Sequence, residues 1–116
     1  MKELRKIVYL YVARSRLAEL IEAGIANEDR LKENEKEIFA ILPILKKGVM
    51  DPGFLSALKK VIEELKEEER ALLTEPHADE MVNAFLFDMK RNGIVDSEEV
   101  KRFKEKFSQE GIEIYI

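Results

Sequence analysis

Hydrophobic residues recur every three or four positions through most of the chain, which is the spacing of an amphipathic α-helix. The first such stretch covers residues 2–23, and Gly24 after it is suited to end a helix. Asn27 then provides an N-cap for a second helix, with acidic residues in its first turn and lysines in its last. Pro43 lies inside this second segment, so a kink or break is expected there.

The second half of the chain predicts three more helices and an extended end. A third helix is expected over about residues 52–73, and a fourth over residues 76–93, where an Asn-Gly pair stops it. Asp96 or Ser97 caps a fifth helix, with acids three residues further on that fit a capping box. The final GIEIYI alternates apolar and polar residues like a strand, so it either docks as a tail or pairs with a second copy.

These elements predict an all-α protein, a single-domain helical bundle of four to five helices with a short C-terminal extended segment. A chain of 116 residues is long enough for one domain, spanning residues 1–116. The fourth helix is apolar on two sides, since Ala84 and Phe87 face away from its main apolar stripe. Such a helix is expected between neighbours or at a subunit interface, which indicates a homo-oligomer, a dimer or tetramer.

The amino-acid composition argues against several classes of binding partner. The chain has 20 basic and 24 acidic residues, well mixed, for a net charge of -4. It therefore lacks the basic surface that a nucleic-acid or membrane-surface binder requires. The apolar run over residues 7–13 is too short to span a bilayer, so no membrane partner is expected. Without Cys there is no disulfide and no thiolate zinc site, and a cytoplasmic location is the default expectation.

Acidic residues are concentrated in two consecutive predicted helices. Glu68 falls within the core stripe of the third helix, Glu64 lies at the edge of that stripe, and Glu67 lies next to Glu64. On the fourth helix, Glu80 and Asn83 are three positions apart and leave the helix in the same direction. Carboxylates along a buried margin repel one another and need a compensating cation, and oxygen ligands favour Mg²⁺ or Mn²⁺. The alternative is a solvated helix face with Lys–Glu pairs.

The two acidic segments resemble the motifs of one family. EELKE, residues 63–67, resembles the EExxE element of the all-alpha nucleoside triphosphate pyrophosphohydrolases, the MazG-like group. EMVN, residues 80–83, occupies the place of the family's ExxD, and NGIVDSEEVKRFKEKF resembles its Gly-Ile turn and Lys-rich closing helix. The resemblance covers roughly the second half of the chain. Asn83 stands where the family has Asp, and Asp79 is the corresponding acid in an alternative register.

The resemblance implies an enzyme that uses Mg²⁺ (or Mn²⁺) to convert a nucleoside triphosphate into the monophosphate and pyrophosphate. The metal ligands that it implies are Glu64, Glu67, Glu80, Asn83 and Asp79. Glu63 would orient the attacking water, and the metal would neutralise charge as the phosphoanhydride bond breaks. Lys101 and Lys104 would contact phosphates of the substrate.

Two other hypotheses remain open. Residues 88–99, DMKRNGIVDSEE, fit much of a calcium-loop template, with Asp88 first, Gly93 sixth and Glu99 last. Lys90 occupies the third position, where an oxygen ligand belongs. The other hypothesis is a non-enzymatic helical interaction or oligomerisation module, whose acids are ordinary surface residues.

Overall fold

The structure is a computed structural model that describes residues 2–68 and 77–116. These two ranges contain no strand, and the five helices in them confirm the prediction of an all-α helical bundle. The helices are α1 (Lys2–Glu22), α2 (Glu28–Val49), α3 (Phe54–Glu68), α4 (Ala78–Arg91) and α5 (Ser97–Gln109).

The ends of the helices follow local sequence signals. The Asn27 side chain accepts a hydrogen bond from the backbone N–H of Arg30 and so caps α2. Asp96 and Glu99 form a reciprocal capping box at the start of α5, because each side chain accepts from the other residue's backbone N–H. Gly93 adopts a φ of 71° just after α4, a conformation that favours glycine. These predicted caps are confirmed.

The structure differs from the sequence prediction at two points. Helix α2 continues through Pro43 without a break, because Pro43 is exposed while Leu42 and Leu45 beside it are completely buried and hold the helix against the core. Helix α3 begins at Phe54 rather than at residue 52, because the backbone N–H of Phe54 closes a turn by donating to the carbonyl of Asp51. The predicted end of the third helix, at residue 73, lies outside the described residues.

All five helices contribute to one apolar core, and Ile112 from the C-terminal segment joins it. α1 and α2 pack along each other as a helical hairpin, α1 also packs on α3, and α4 contacts α2, α3 and α5. The outer half of the hairpin is less covered, since Val12 is the last buried residue of α1 and Asn34 the first of α2. Over residues 2–68 and 77–116, no helix combines the length and the apolar character that crossing a membrane requires.

A buried carboxylate joins α1 to α4. Asp88 is only 2% exposed, and it accepts a short hydrogen bond from the hydroxyl of Tyr11 and a second, of 3.1 Å, from Arg14. Arg91, on the same helix as Asp88, approaches the other carboxylate oxygen at 3.7 Å. A lone carboxylate is costly to bury, whereas one held by several donors is compensated. We call these residues, Tyr11, Arg14, Asp88 and Arg91, the Asp88 cluster.

The Asp88 cluster favours the neutral form of its tyrosine. Burial of the Tyr11 ring, and then its hydrogen bond to Asp88, raise the pKa of the phenol well above its usual value. The neutral Tyr11 phenol stabilises the folded protein. This stabilisation is fully present below the pKa of an unfolded tyrosine, about 10. It is lost as the pH rises from there towards the higher pKa of the folded state.

We therefore expect Tyr11→Phe to remove a pH-dependent part of the stability. Above about pH 10, Tyr11 loses its proton in the unfolded chain and keeps it in the folded protein, so unfolding becomes easier. The stability advantage of the unchanged protein over Tyr11→Phe should shrink by up to about 1.4 kcal/mol per pH unit. Urea denaturation followed by circular dichroism at alkaline pH measures this difference. Tyr9→Phe, which removes an exposed phenol from the same helix, is the matched control; a difference independent of pH contradicts the prediction.

Candidate functional site

The acids predicted on α3 lie at the surface of the bundle. Glu63 and Glu67 are exposed, and Glu64 is partly exposed. The guanidinium of Arg5 on α1 donates a hydrogen bond of 3.5 Å to Glu64, while Lys66 lies 3.9 Å from Glu63. None of these three carboxylates is therefore fully buried, and the cation beside Glu64 is an arginine. The side chain of Glu68 lies outside the described residues.

The second predicted segment divides into two exposed acids and one buried amide. Asp79 and Glu80 are exposed in the first turn of α4. Asn83 is buried, and its Nδ2 donates to the carbonyls of Asp79 and Glu113, each at 2.9 Å. Its Oδ1 accepts from the backbone N–H of Tyr115 at 2.8 Å. Asn83 thus holds the C-terminal segment, which docks on the bundle as a tail.

The described residues of the implied metal set do not form a ligand shell. In residues 2–68 and 77–116, no group of three or more His, Asp or Glu side chains comes together as a metal ion requires. The implied phosphate ligands, Lys101 and Lys104, are exposed on α5, and Lys101 pairs with Glu98 at 3.5 Å. Magnesium binding stays a prediction, and its support remains the sequence motifs.

A lysine ammonium lies within the loop that resembles a calcium site. Lys46, from α2, donates a hydrogen bond of 2.9 Å to the carbonyl of Ile94 and lies 2.7 Å from Glu99. Ile94 and Glu99 are the seventh and twelfth residues of the loop over 88–99, and those positions supply a carbonyl and a carboxylate to the ion in a calcium loop. The first residue, Asp88, is already held by donors from α1. The Lys46 ammonium, a cation of the protein itself, thus contacts two of the groups that would coordinate the ion in a calcium loop.

One side of α4 carries a stripe of both charged and apolar residues. Glu80, Ala84, Phe87 and Arg91 recur at helical spacing and so share one side of the helix, which we call the outer α4 face. Glu80 and Arg91 are exposed at its two ends, and Phe87 at its middle is 50% exposed. The Arg91 guanidinium lies 5.8 Å from the centroid of the Phe87 ring. Phe87 thus faces away from the core, as the sequence predicted, while Ala84 is partly buried, packs against the core and also lines a hollow at this surface.

The C-terminal tail extends the outer α4 face. Phe87, Arg91, Tyr115 and Ile116 line two hollows of about 460 and about 570 Å³. Tyr115 is 69% exposed although its backbone is fixed by the side chain of Asn83. Two exposed aromatic rings on rigid backbone are a common feature of protein interaction surfaces.

Asp88 and Asn83 are the functional positions that sequence reasoning did not place correctly. Both are polar residues within the apolar face of an amphipathic helix, between Val82 and Met89. A polar residue in such a position needs a partner. That signal identifies the two residues as buried, and it does not say which group binds them.

None of the protein-family models, curated proteins or solved structures compared with the chain matches it.

The magnesium hypothesis has a direct thermodynamic test. An ion that binds the folded protein alone must raise the melting temperature, so the hypothesis predicts a rise on titration with Mg²⁺ or Mn²⁺. It also predicts pyrophosphate release from at least one nucleoside triphosphate. Glu64→Gln should abolish the rise, whereas Glu98→Gln on α5 should not. A constant melting temperature together with no pyrophosphate release would contradict both the metal site and the hydrolase.

For the loop over residues 88–99, we expect Lys46→Met to change the response to acid. The hydrogen bond from Lys46, followed by the backbone N–H of Asp96, lowers the pKa of Glu99. This stabilisation is present above the usual glutamate pKa, about 4.3, and is lost as the pH falls through the lower pKa of the folded state.

Thermal melts between neutral and acidic pH measure this response, and Lys46→Met should lose less stability on acidification than the unchanged protein. Lys47→Met, an exposed neighbour, is the control. The unchanged protein should also melt at the same temperature with and without Ca²⁺, because the ammonium already balances Glu99. A rise with Ca²⁺ that Glu99→Gln removes would instead support the calcium-loop hypothesis.

Proposed function

We propose that the chain is a self-associating helical interaction module, in which the outer α4 face pairs with the same face of a second copy. The observation that carries the proposal is the order of residues along that face. A carboxylate lies at one end, a small and a large apolar residue lie in the middle, and a guanidinium lies at the other end. A stripe that is apolar at its centre and oppositely charged at its ends is complementary to itself when reversed.

The spacing of the residues fits an antiparallel pair. Four positions separate Glu80 from Ala84, and four separate Phe87 from Arg91. A two-fold axis between Ala84 and Phe87 therefore places Ala84 opposite the partner's Phe87 and Glu80 opposite the partner's Arg91. The large ring then meets the small side chain, which is the knob-into-hole contact of packed helices. The contact between Glu80 and Arg91 therefore forms twice, once at either end of the interface.

Burial and charge have different effects in such a pair. Phe87 would lose the half of its surface that now contacts water, and aromatic residues in the middle of an interface account for most of its affinity. The charges at the ends add little affinity but select the antiparallel orientation, since a parallel pair would place like charges together. Tyr115 and Ile116 widen the apolar area, and Asn83 keeps that part of the tail in place before association.

The same residues account for the two-sided apolar character of α4. Phe85 and Met89 face the core, and Phe87 faces outwards with Ala84 beside it. A surface phenylalanine in the middle of a helix is better explained by a partner than by the fold of the single chain. The hydrolase hypothesis, by contrast, draws its support from EELKE and EMVN, whose described acids are exposed or paired with basic residues.

Phe87→Glu should dissociate the pair, because it places two carboxylates at the centre of the interface. We expect the dissociation constant, measured by sedimentation velocity over a range of concentrations, to rise by at least about tenfold. Ile25→Glu, the same kind of change at an exposed residue between α1 and α2, should leave it unchanged. A protein that stays monomeric at every concentration, or a dimer insensitive to Phe87→Glu, would contradict the proposal.

Exchange of the two end charges tests the antiparallel register. Glu80→Arg and Arg91→Glu should each weaken the pair, because each places like charges opposite one another. The double variant should restore it, and so should an equimolar mixture of the two single variants. Arg91→Glu also removes the contact of Arg91 with Asp88, whereas the hydrogen-bond donor Arg14 is unchanged, so thermal melts check that each variant retains the fold. Single variants that dimerise like the unchanged protein would exclude this register.

A further inference from the structure

A groove of about 740 Å³ runs between α1 and α2, a volume typical of sites for small organic molecules. We call it the α1–α2 groove. Its wall on α1 follows one stripe of that helix, formed by Tyr9, Val12, Ala13 and Arg16. Its wall on α2 is more polar and includes Arg30, Glu33, Asn34 and Glu37. The groove is separate from the outer α4 face, with which it shares no residue.

Asn34, one of the residues that line the groove, carries a buried polar atom without a hydrogen-bond partner. The residue is only 6% exposed, and its Nδ2 donates a hydrogen bond of 3.0 Å to the carbonyl of Leu10. Its Oδ1 is buried and accepts no hydrogen bond from any of the described residues. Buried side-chain oxygens in folded proteins nearly always have a donor. The atom that is missing a partner here is an acceptor, so the group that complements it carries an N–H or O–H.

The charges around the groove favour a positive group. Glu37 follows Asn34 by three positions, so the two side chains are neighbours on α2. Arg16 already pairs with Glu19 at 3.3 Å, and Glu33 pairs with Lys36 at 3.6 Å.

Among the lining residues of the described chain, this leaves the carboxylates of Asp29 and Glu37 and the guanidinium of Arg30 without an ion-pair partner. The net charge of these three unpaired groups is therefore negative. Tyr9 on the facing helix is 42% exposed, and the face of its ring attracts a cation.

We propose that the α1–α2 groove binds an organic cation in which a primary or secondary ammonium group is joined to an apolar chain or ring. The ammonium donates one hydrogen bond to Oδ1 of Asn34 and lies against the carboxylate of Glu37. The apolar part lies along Val12 and Leu17 on α1, beside the ring of Tyr9. A carboxylate in the same position would meet two acceptors and no donor, so the site discriminates by charge.

Three probes of equal shape test the proposal, namely phenylbutylamine, phenylbutanol and phenylbutyrate. Isothermal titration calorimetry of the full chain should show binding of the amine at neutral pH. The alcohol and the carboxylate should bind at least about tenfold more weakly, since they lack the charged donor. Equal binding of all three would mean that the groove recognises apolar surface alone, and tighter binding of the carboxylate would mean that Arg30 controls it. Either result, or no binding of the amine, overturns the proposal.

Two variants locate the site. Glu37→Gln, at an exposed position, and Asn34→Leu should each weaken amine binding by at least about tenfold. Glu35→Gln makes the same change at a residue of α2 that lies outside this groove, and it should bind like the unchanged protein. If Glu37→Gln alters self-association in sedimentation and leaves amine binding intact, the groove is an interface between copies, and the proposal is wrong. Phe87→Glu should not affect amine binding, so the two proposals fail or stand separately.

Discussion

Asp88 places its carboxylate where water cannot reach it, and the fold depends on how that charge is compensated. The donors come from α1, where Tyr11 and Arg14 are one turn apart, so the contact fixes α1 and α4 relative to each other. It also fixes the rotation of α4 about its own axis. Because Asp88 faces α1, Asn83 faces the tail and Phe87 faces solvent. The anchoring of the tail and the outer α4 face are thus both consequences of one buried charge.

The carboxylates of two predicted cation sites find their cations within the chain. EELKE resembles a metal-binding motif, and a buried carboxylate there would need a compensating cation. At Glu64 that cation is Arg5, and at Glu99 it is Lys46. Both partners come from helices that are distant in sequence. A tethered ammonium or guanidinium is always present at high local concentration, whereas a metal ion must be bound from solution at a cost in its hydration.

The sequence predicted the elements whose causes are local. The caps at Asn27 and Asp96 depend on residues three positions away, and the helical period places Phe87 on the side of α4 opposite its buried stripe. The roles of Asn83 and Asp88 could not be predicted, because their partners lie 30 or more positions away. The resemblance implies that Asn83 is an altered metal ligand, whereas in the structure its amide binds the backbone of the tail. A short acidic motif does not distinguish these two uses.

The distance along the chain between Tyr11 and Asp88 also has a kinetic consequence. They are 77 positions apart, so closing the loop between them costs conformational entropy that contacts formed earlier would reduce. The hairpin of α1 and α2 joins residues that are much closer in sequence and can form earlier. A contact that forms after the rate-limiting step leaves the folding rate nearly unchanged and slows unfolding. We therefore expect the Asp88 cluster to affect how long a folded molecule persists more than how quickly the chain folds.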